Sequence, residues 1–221
     1  MLAVRSKDMM RTIIVIVLFF LSVLPSLAND CGKIIPEKFE GYNKVELRGY
    51  FFHPDHCFSV VIPDKVVGRD HSEPQSHHGF GAVLSKPPHA AYLYVGTEPA
   101  GVVEDENGNP GTPEDEARQA IKWLVKDGAT IIRKDIKKAK LGGLPAARAT
   151  IIYRCPNSSV ELVQDSIFAA QPNGPLHKLT LTASKPAYES ARKILDRIAS
   201  TWKLERKKCE EELKKRLKVD F

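Results

Sequence analysis

Apolar residues between Val45 and Trp202 recur with two different periods, and the order of those periods restricts the fold more than anything else in the chain. β-rich runs come first, at residues 45–52, 57–62, 79–84 and 90–97. Turn chemistry separates them, as in His53-Pro54-Asp55-His56 and Ser85-Lys86-Pro87-Pro88, where Pro presets φ and Asp bonds its own backbone. Pro63-Asp64 is expected to end the second run, with residues 66–75 as a loop. A helical period then begins. Thr112 caps it, Pro113 suits its first position, and Asp115 completes a capping-box pattern. Ala117, Ala120, Ile121, Leu124 and Val125 form one face with Trp123 on its flank, and Gly128 ends the helix. β-rich runs return at 130–139, 146–155, 160–170 and 177–183. Ser184 caps a second helix whose stripe is Tyr188, Ala191, Ile194, Leu195, Ile198 and Trp202. A helix with a single apolar stripe needs a sheet to bury it. Strands in runs, interrupted by one helix and closed by another, predict an α+β fold: a mostly antiparallel sheet covered by helices.

The N-terminal segment sets the expected compartment. Arg5, Lys7 and Arg11 precede an apolar run, Ile13 to Leu24, and Pro25-Ser26-Leu27-Ala28 supplies a breaker and a small-x-small cleavage site. This is the build of a secretory signal peptide over residues 1–28. The run is shorter than the roughly twenty apolar residues a spanning helix needs, so no stable membrane span is expected after cleavage. Met9 would itself begin a compact leader, so the first residues read as an over-extended start. Asn29 and Asp30 before Cys31 fit lipoprotein processing poorly. The expected organisation is a leader, a lead-in at 29–44, one domain at 45–204 and a charged helical tail at 205–221. The protein is therefore expected to be secreted or periplasmic.

Four cysteines in an exported chain imply two disulfides, and no C-x-x-C occurs. Counting strand directions puts Cys57 level with Cys155 and Cys31 near Cys209, so those pairs are expected; a local Cys31–Cys57 link is the rival. The net charge of +6 comes from basic residues interleaved with acids. A nucleic-acid footprint needs them clustered on one face, so no nucleic-acid partner is expected.

The strand and helix order resembles the PsbP-like superfamily, which includes extrinsic photosystem proteins, Ran-binding Mog proteins and exported bacterial proteins. The matching residues are Phe58-Ser59-Val60-Val61-Ile62-Pro63, Gly143-Leu144-Pro145-Ala146-Ala147-Arg148, and Ile194-Leu195 with Ile198 and Trp202 closing the domain. The likeness covers about residues 45–204, although Asp64 and Lys65 stand where an aromatic often follows the proline. The resemblance implies an α/β/α sandwich and a non-enzymatic role in binding a protein partner. A Ran partner would require a cytosolic or nuclear address, which the leader contradicts.

Several constellations carry residues with the chemistry of a site. His53, His56, His71, His77, His78 and His89 crowd into one stretch, and His71, His77 and His78 are the candidate ligand or metal set. Their spacing fits no defined zinc motif, and all six lie in or beside turns. Asp105, Asn107, Asn109 and Glu116 imitate a calcium loop, but Pro110 replaces the glycine its sharp turn requires. Gly79-Phe80-Gly81 suggests an esterase oxyanion loop without any G-x-S-x-G elbow. Asn157-Ser158-Ser159 is a formal glycosylation sequon. No catalytic residue and no cofactor is assigned. The leading expectation is a secreted or periplasmic non-enzymatic binding or assembly module. The alternative is an exported hydrolase or metal-dependent enzyme using the histidine-rich strand ends around residues 53–89.

Overall fold

The computed structural model describes residues 31, 34, 44–69, 78–98, 111–170 and 174–219. The leader, His71, His77 and the acidic loop at 105–109 lie outside them. In chain order the elements are β1 (Lys44–His53), β2 (Phe58–Arg69), β3 (Gly79–Ser85), β4 (Ala91–Glu98), α1 (Pro113–Lys126), β5 (Thr130–Leu141), β6 (Leu144–Arg154), β7 (Glu161–Ala170), β8 (Leu176–Ser184), α2 (Lys185–Thr201), β9 (Lys203–Leu204) and α3 (Arg206–Val219). The strands lie in the order β1-β2-β3-β4-β8-β7-β6-β5, with β9 added to β2, and neighbours are antiparallel.

Side-chain alternation along the strands divides the interior into two layers. On β7, Val163, Ile167 and Ala169 face one way and join Leu179, Leu181, Phe58, Val60 and the α2 stripe of Tyr188, Ala191, Leu195 and Ile198. The intervening Leu162, Phe168 and Ala170 face the other way and meet Ala147, Ala149, Ile151 and Tyr153 of β6 beneath Ala117 and Ala120 of α1. A mostly antiparallel sheet covered by helices is the α+β fold that the periods predicted, and its burial on both faces is the sandwich that the resemblance implied.

Local chemistry explains most element boundaries. Thr112 accepts from the Asp115 N–H while the Asp115 carboxylate accepts from the Thr112 N–H, so two otherwise orphaned donors are satisfied. Gly142 and Gly143, with φ of 55° and 88°, form the mirror-image turn that suits the twist of a tight β5–β6 hairpin.

Four expectations are corrected. Pro63 does not end β2: the register passes from Gly49↔Ile62 to Leu47↔Val66, so Pro63–Lys65 form a bulge and the strand continues to Arg69. A bulge tolerates proline because no ladder N–H is required there. Ala117, Ala120, Ile121 and Leu124 of the expected α1 face pack on the core, but that face also takes in the buried Glu116 and leaves Val125 54% and Trp123 44% exposed. Ser184 occupies the N-cap of α2 but makes no side-chain capping bond, and its hydroxyl is buried without a hydrogen-bond partner.

The fourth concerns the disulfides, which pair Cys31 with Cys155 and Cys57 with Cys209 at Cα separations of 5.6 and 5.3 Å. The direction count fails at β2. Only Val67↔Val83 and Gly68↔Ala82 tie β2 to β3, while its start is held by β9 through Phe58↔Leu204 and Ser59↔Lys203. Phe58 thus stands beside His177 and Trp202, at the β8 start, whereas Cys155 lies beyond the Arg154↔Glu161 pair at the β8 end. Cys57 is therefore carried to the α3 side, where Cys209 is 3% exposed.

Candidate functional site

The fold gathers two sets of candidate side chains, one anticipated and one not. The anticipated set is the histidines. The turn after β1 brings His53 and His56 together with ring centroids 4.8 Å apart, and His78, entering β3, lies with its Nδ1 2.9 Å from the His56 Nε2. One of these two nitrogens must donate and the other accept, so the pair holds a single shared proton between them. His89 is elsewhere, at the β3–β4 turn, where its carbonyl accepts from the Ser85 hydroxyl. Of the candidate set His71, His77 and His78, only His78 falls within the described residues. Among the described residues no group of three or more His, Cys, Asp or Glu side chains is placed to hold a metal ion.

His177 joins this cluster although the sequence reading passed over it. It sits on β8 in the apolar alternation of Leu179 and Leu181, facing α2, with its ring 4.8 Å from Trp202 and 6.4 Å from Phe58. Its Nδ1 lies 2.8 Å from the Thr97 hydroxyl. Burial first, and the nearby His56 second, push its pKa down to about 4, so it is neutral near pH 7. Thr97 and His177 have the spacing of a hydroxyl and its base, and both are buried. The neighbouring Cys57 sulfur is committed to Cys209, and the Ser59 hydroxyl donates to Glu205. The cluster reads as a packed histidine–aromatic joint between β1, β2, β8 and α2.

The unanticipated set lies on the α2 face of the sheet, toward the β5 edge. Thr150, Ile152 and Val163 form a floor, Arg133, Asp135 and Lys137 of β5 one wall, and Lys185, Tyr188, Glu189 and Arg192 of α2 the other. The groove between them holds about 470 Å³ and is lined by four cations and two carboxylates. A network beside it anchors the α2 wall. The Arg148 guanidinium donates to both Asp165 oxygens at 2.8 and 2.7 Å and reaches Asp196 at 2.6 Å, while the Tyr188 hydroxyl donates to Asp165 at 2.7 Å. Asp165 is fully buried, and these bonds hold the Arg148 pKa above its ordinary value. The same carboxylate, after burial, holds the Tyr188 phenol well above its usual range. Neither group titrates under ordinary conditions, so the bonds that anchor the wall persist.

Charges inside the groove are only partly spent. Lys137 pairs with Asp135 at 2.7 Å and Lys185 with Glu161 at 2.5 Å, while Arg192 lies 3.5 Å from Asp196 and over the Tyr188 ring at 5.9 Å. Arg133 has no ion-pair partner among the described residues. Exposed pairs of this kind are weakened by solvent screening, so their cations remain available to a ligand. The sequence signal for this site is the recurrence of Arg133, Asp135 and Lys137 at every second position of a β-rich run, which puts them on one face.

No protein-family model and no curated protein matches the chain. Solved structures are similar to it, three of them as follows. Cyanobacterial PsbP from Synechocystis has 13% identity and a TM-score of 0.48, covering 74% of this chain and 95% of its own. The Ran-binding protein Mog1p of Saccharomyces cerevisiae has 8% identity and a TM-score of 0.44, covering 74% and 96%. LpqN of Mycobacterium tuberculosis, involved in cell envelope biogenesis, has 13% identity and a TM-score of 0.43, covering 76% and 94%. All three have the PsbP-like fold.

Proposed function

We propose that the chain is an exported, non-catalytic module that binds a protein partner through the groove between α2 and the β5 edge. The observation that carries this reading is the groove itself: ligand-sized, open, and rich in cations whose present partners are weak. The two disulfides support an oxidising compartment, and residues 1–28 have the build of a cleaved leader. Among the described residues no helix is long and apolar enough to cross a membrane. The mature chain would begin at Asn29, with its folded body at 45–204 and a charged extension beyond. N-terminal sequencing of extracellular or periplasmic protein should begin within about two residues of Asn29.

The groove is tested by capture from the native envelope or secretion medium, with the mature protein and with an R133E/K137E/R192E variant side by side. A partner held by the first and lost by the second supports the reading. Identical sets of co-purifying proteins, from two equally folded baits, refute it.

A further inference from the structure

We propose that the partner presents an acidic, extended segment, which adds to the sheet as a further strand along β5. This rests on the groove reading and names what the groove and its rim accept. β5 ends the strand order, so one row of its backbone N–H and C=O groups is without a ladder partner among the described residues. The opposite edge, β1, is approached by α3, whose Lys208 Nζ stands 4.5 and 4.3 Å from the Tyr50 and Phe52 rings. No described element lies beyond β5.

Lysines on an edge strand ordinarily serve to repel a second copy. On β5 they also define what the edge accepts. Register with β6 places Arg133, Asp135 and Lys137 opposite Ile152, Thr150 and Arg148, on the groove face. Lys134, Ile136, Lys138 and Lys140 stand opposite Ile151, Ala149, Ala147 and Pro145, on the α1 face. Cations therefore occupy both faces of the edge at adjacent positions 133–134 and again at 137–138, and Arg133, Lys134, Lys137, Lys138 and Lys140 are all exposed. The two positions between them are Asp135 and Ile136. Cross-strand neighbours favour opposite charge and penalise like charge. A complementary strand thus carries two acidic residues, a neutral and an apolar one, then two acidic residues. That pattern reads nearly the same in either direction, so it does not require one strand orientation. Main-chain bonds would supply affinity and the charges would supply choice of partner.

The test is titration of isotope-labelled mature protein with a peptide carrying Glu-Glu-Thr-Val-Glu-Glu between short neutral flanks. Its controls are the Lys-for-Glu peptide, a peptide with Pro at alternate positions, a heparin tetrasaccharide and phosphatidylglycerol vesicles. The expected result is saturable binding with slowed hydrogen exchange at the β5 amides that β6 does not use. Binding should fall at least tenfold with the Pro peptide and with K134E/K138E, whose side chains lie off the groove face. Equal binding of the Glu and Pro peptides without β5 protection would overturn strand addition while leaving the groove reading intact. Binding of heparin or vesicles but not of the peptide would overturn the choice of partner. No binding by any probe would overturn the inference, and the capture experiment would then decide the groove reading separately.

Discussion

Replacing Arg148 by Met tests whether the Arg148–Asp165–Tyr188 network holds α2 against the sheet. Asp165 has no solvent contact and accepts three hydrogen bonds, two of them from Arg148. R148M would leave a buried carboxylate with the Tyr188 hydroxyl alone, and breaking a buried pair from one side costs about 3–5 kcal/mol. The other partner, Asp196, is 45% exposed and loses little. For a domain of this size each kcal/mol lowers Tm by about 2–4 °C, so the variant should melt roughly 6–20 °C lower. Removing both charges gives the sharper comparison. R148M/D165L leaves only the Tyr188 hydroxyl unsatisfied, a cost of about 1–3 kcal/mol, so the double variant should be more stable than R148M itself. Urea unfolding followed by circular dichroism on wild type, both single variants and the double variant measures the coupling. An R148M loss under about 1 kcal/mol, or a double variant that loses the sum of the two singles, would refute the network as the anchor of that wall.

Non-reducing peptide mapping should recover Cys31 joined to Cys155 and Cys57 joined to Cys209; a peptide joining Cys57 to Cys155 would contradict the course of β2. The C57S/C209S variant should lose about 2–5 kcal/mol in urea unfolding and expose α3 to limited proteolysis, and unchanged cleavage would count against the tether. His177 titrates lower in the fold than in an unfolded chain, so its contribution is complete above about pH 6.5 and is lost as pH falls toward 4. Between pH 7.5 and 4.5 that loss is about 2 kcal/mol, and H177Q should show a correspondingly flatter stability profile over the same range. Gly142→Ala should destabilise more than Gly143→Ala in thermal melts: both need positive φ, but a Cβ at 142 would sit 2.5 Å from the Trp202 ring while one at 143 meets nothing. Equal melting of the two would mean that the turn and Trp202 are not packed as described.

Features decided by neighbours in the chain were readable from the residues. The capping of α1 by Thr112 and Asp115 and its stop at Gly128 depend on groups a few bonds apart, and each stands where its chemistry predicts. The stripe on α2 was also legible, since its spacing leaves one side that only a sheet face can cover. Misreadings began where one residue had two local uses. Pro63 is a strand terminator by itself, yet a bulge opposite Arg48 accommodates it. Val125 fits a helical face by spacing, yet the packed face takes in Glu116 and leaves Val125 exposed.

The histidines separate the two levels further. His53 and His56 share a turn, so their meeting was visible as a spacing, whereas His177 reaches them only because β8 lies between β4 and β7 and directs its ring under Trp202. Pattern alone thus determined the α+β class, the two apolar stripes and the need for cystine bridges, because periodicity and cysteine number are properties of a linear chain. Pairing of the cysteines, the groove and the unpaired cationic edge were decided only by the tertiary structure. They depend on β2 changing partners along its length and on α2 packing over β2, β8 and β7 while leaving the β5 end of its face open, and no spacing within the chain encodes either event.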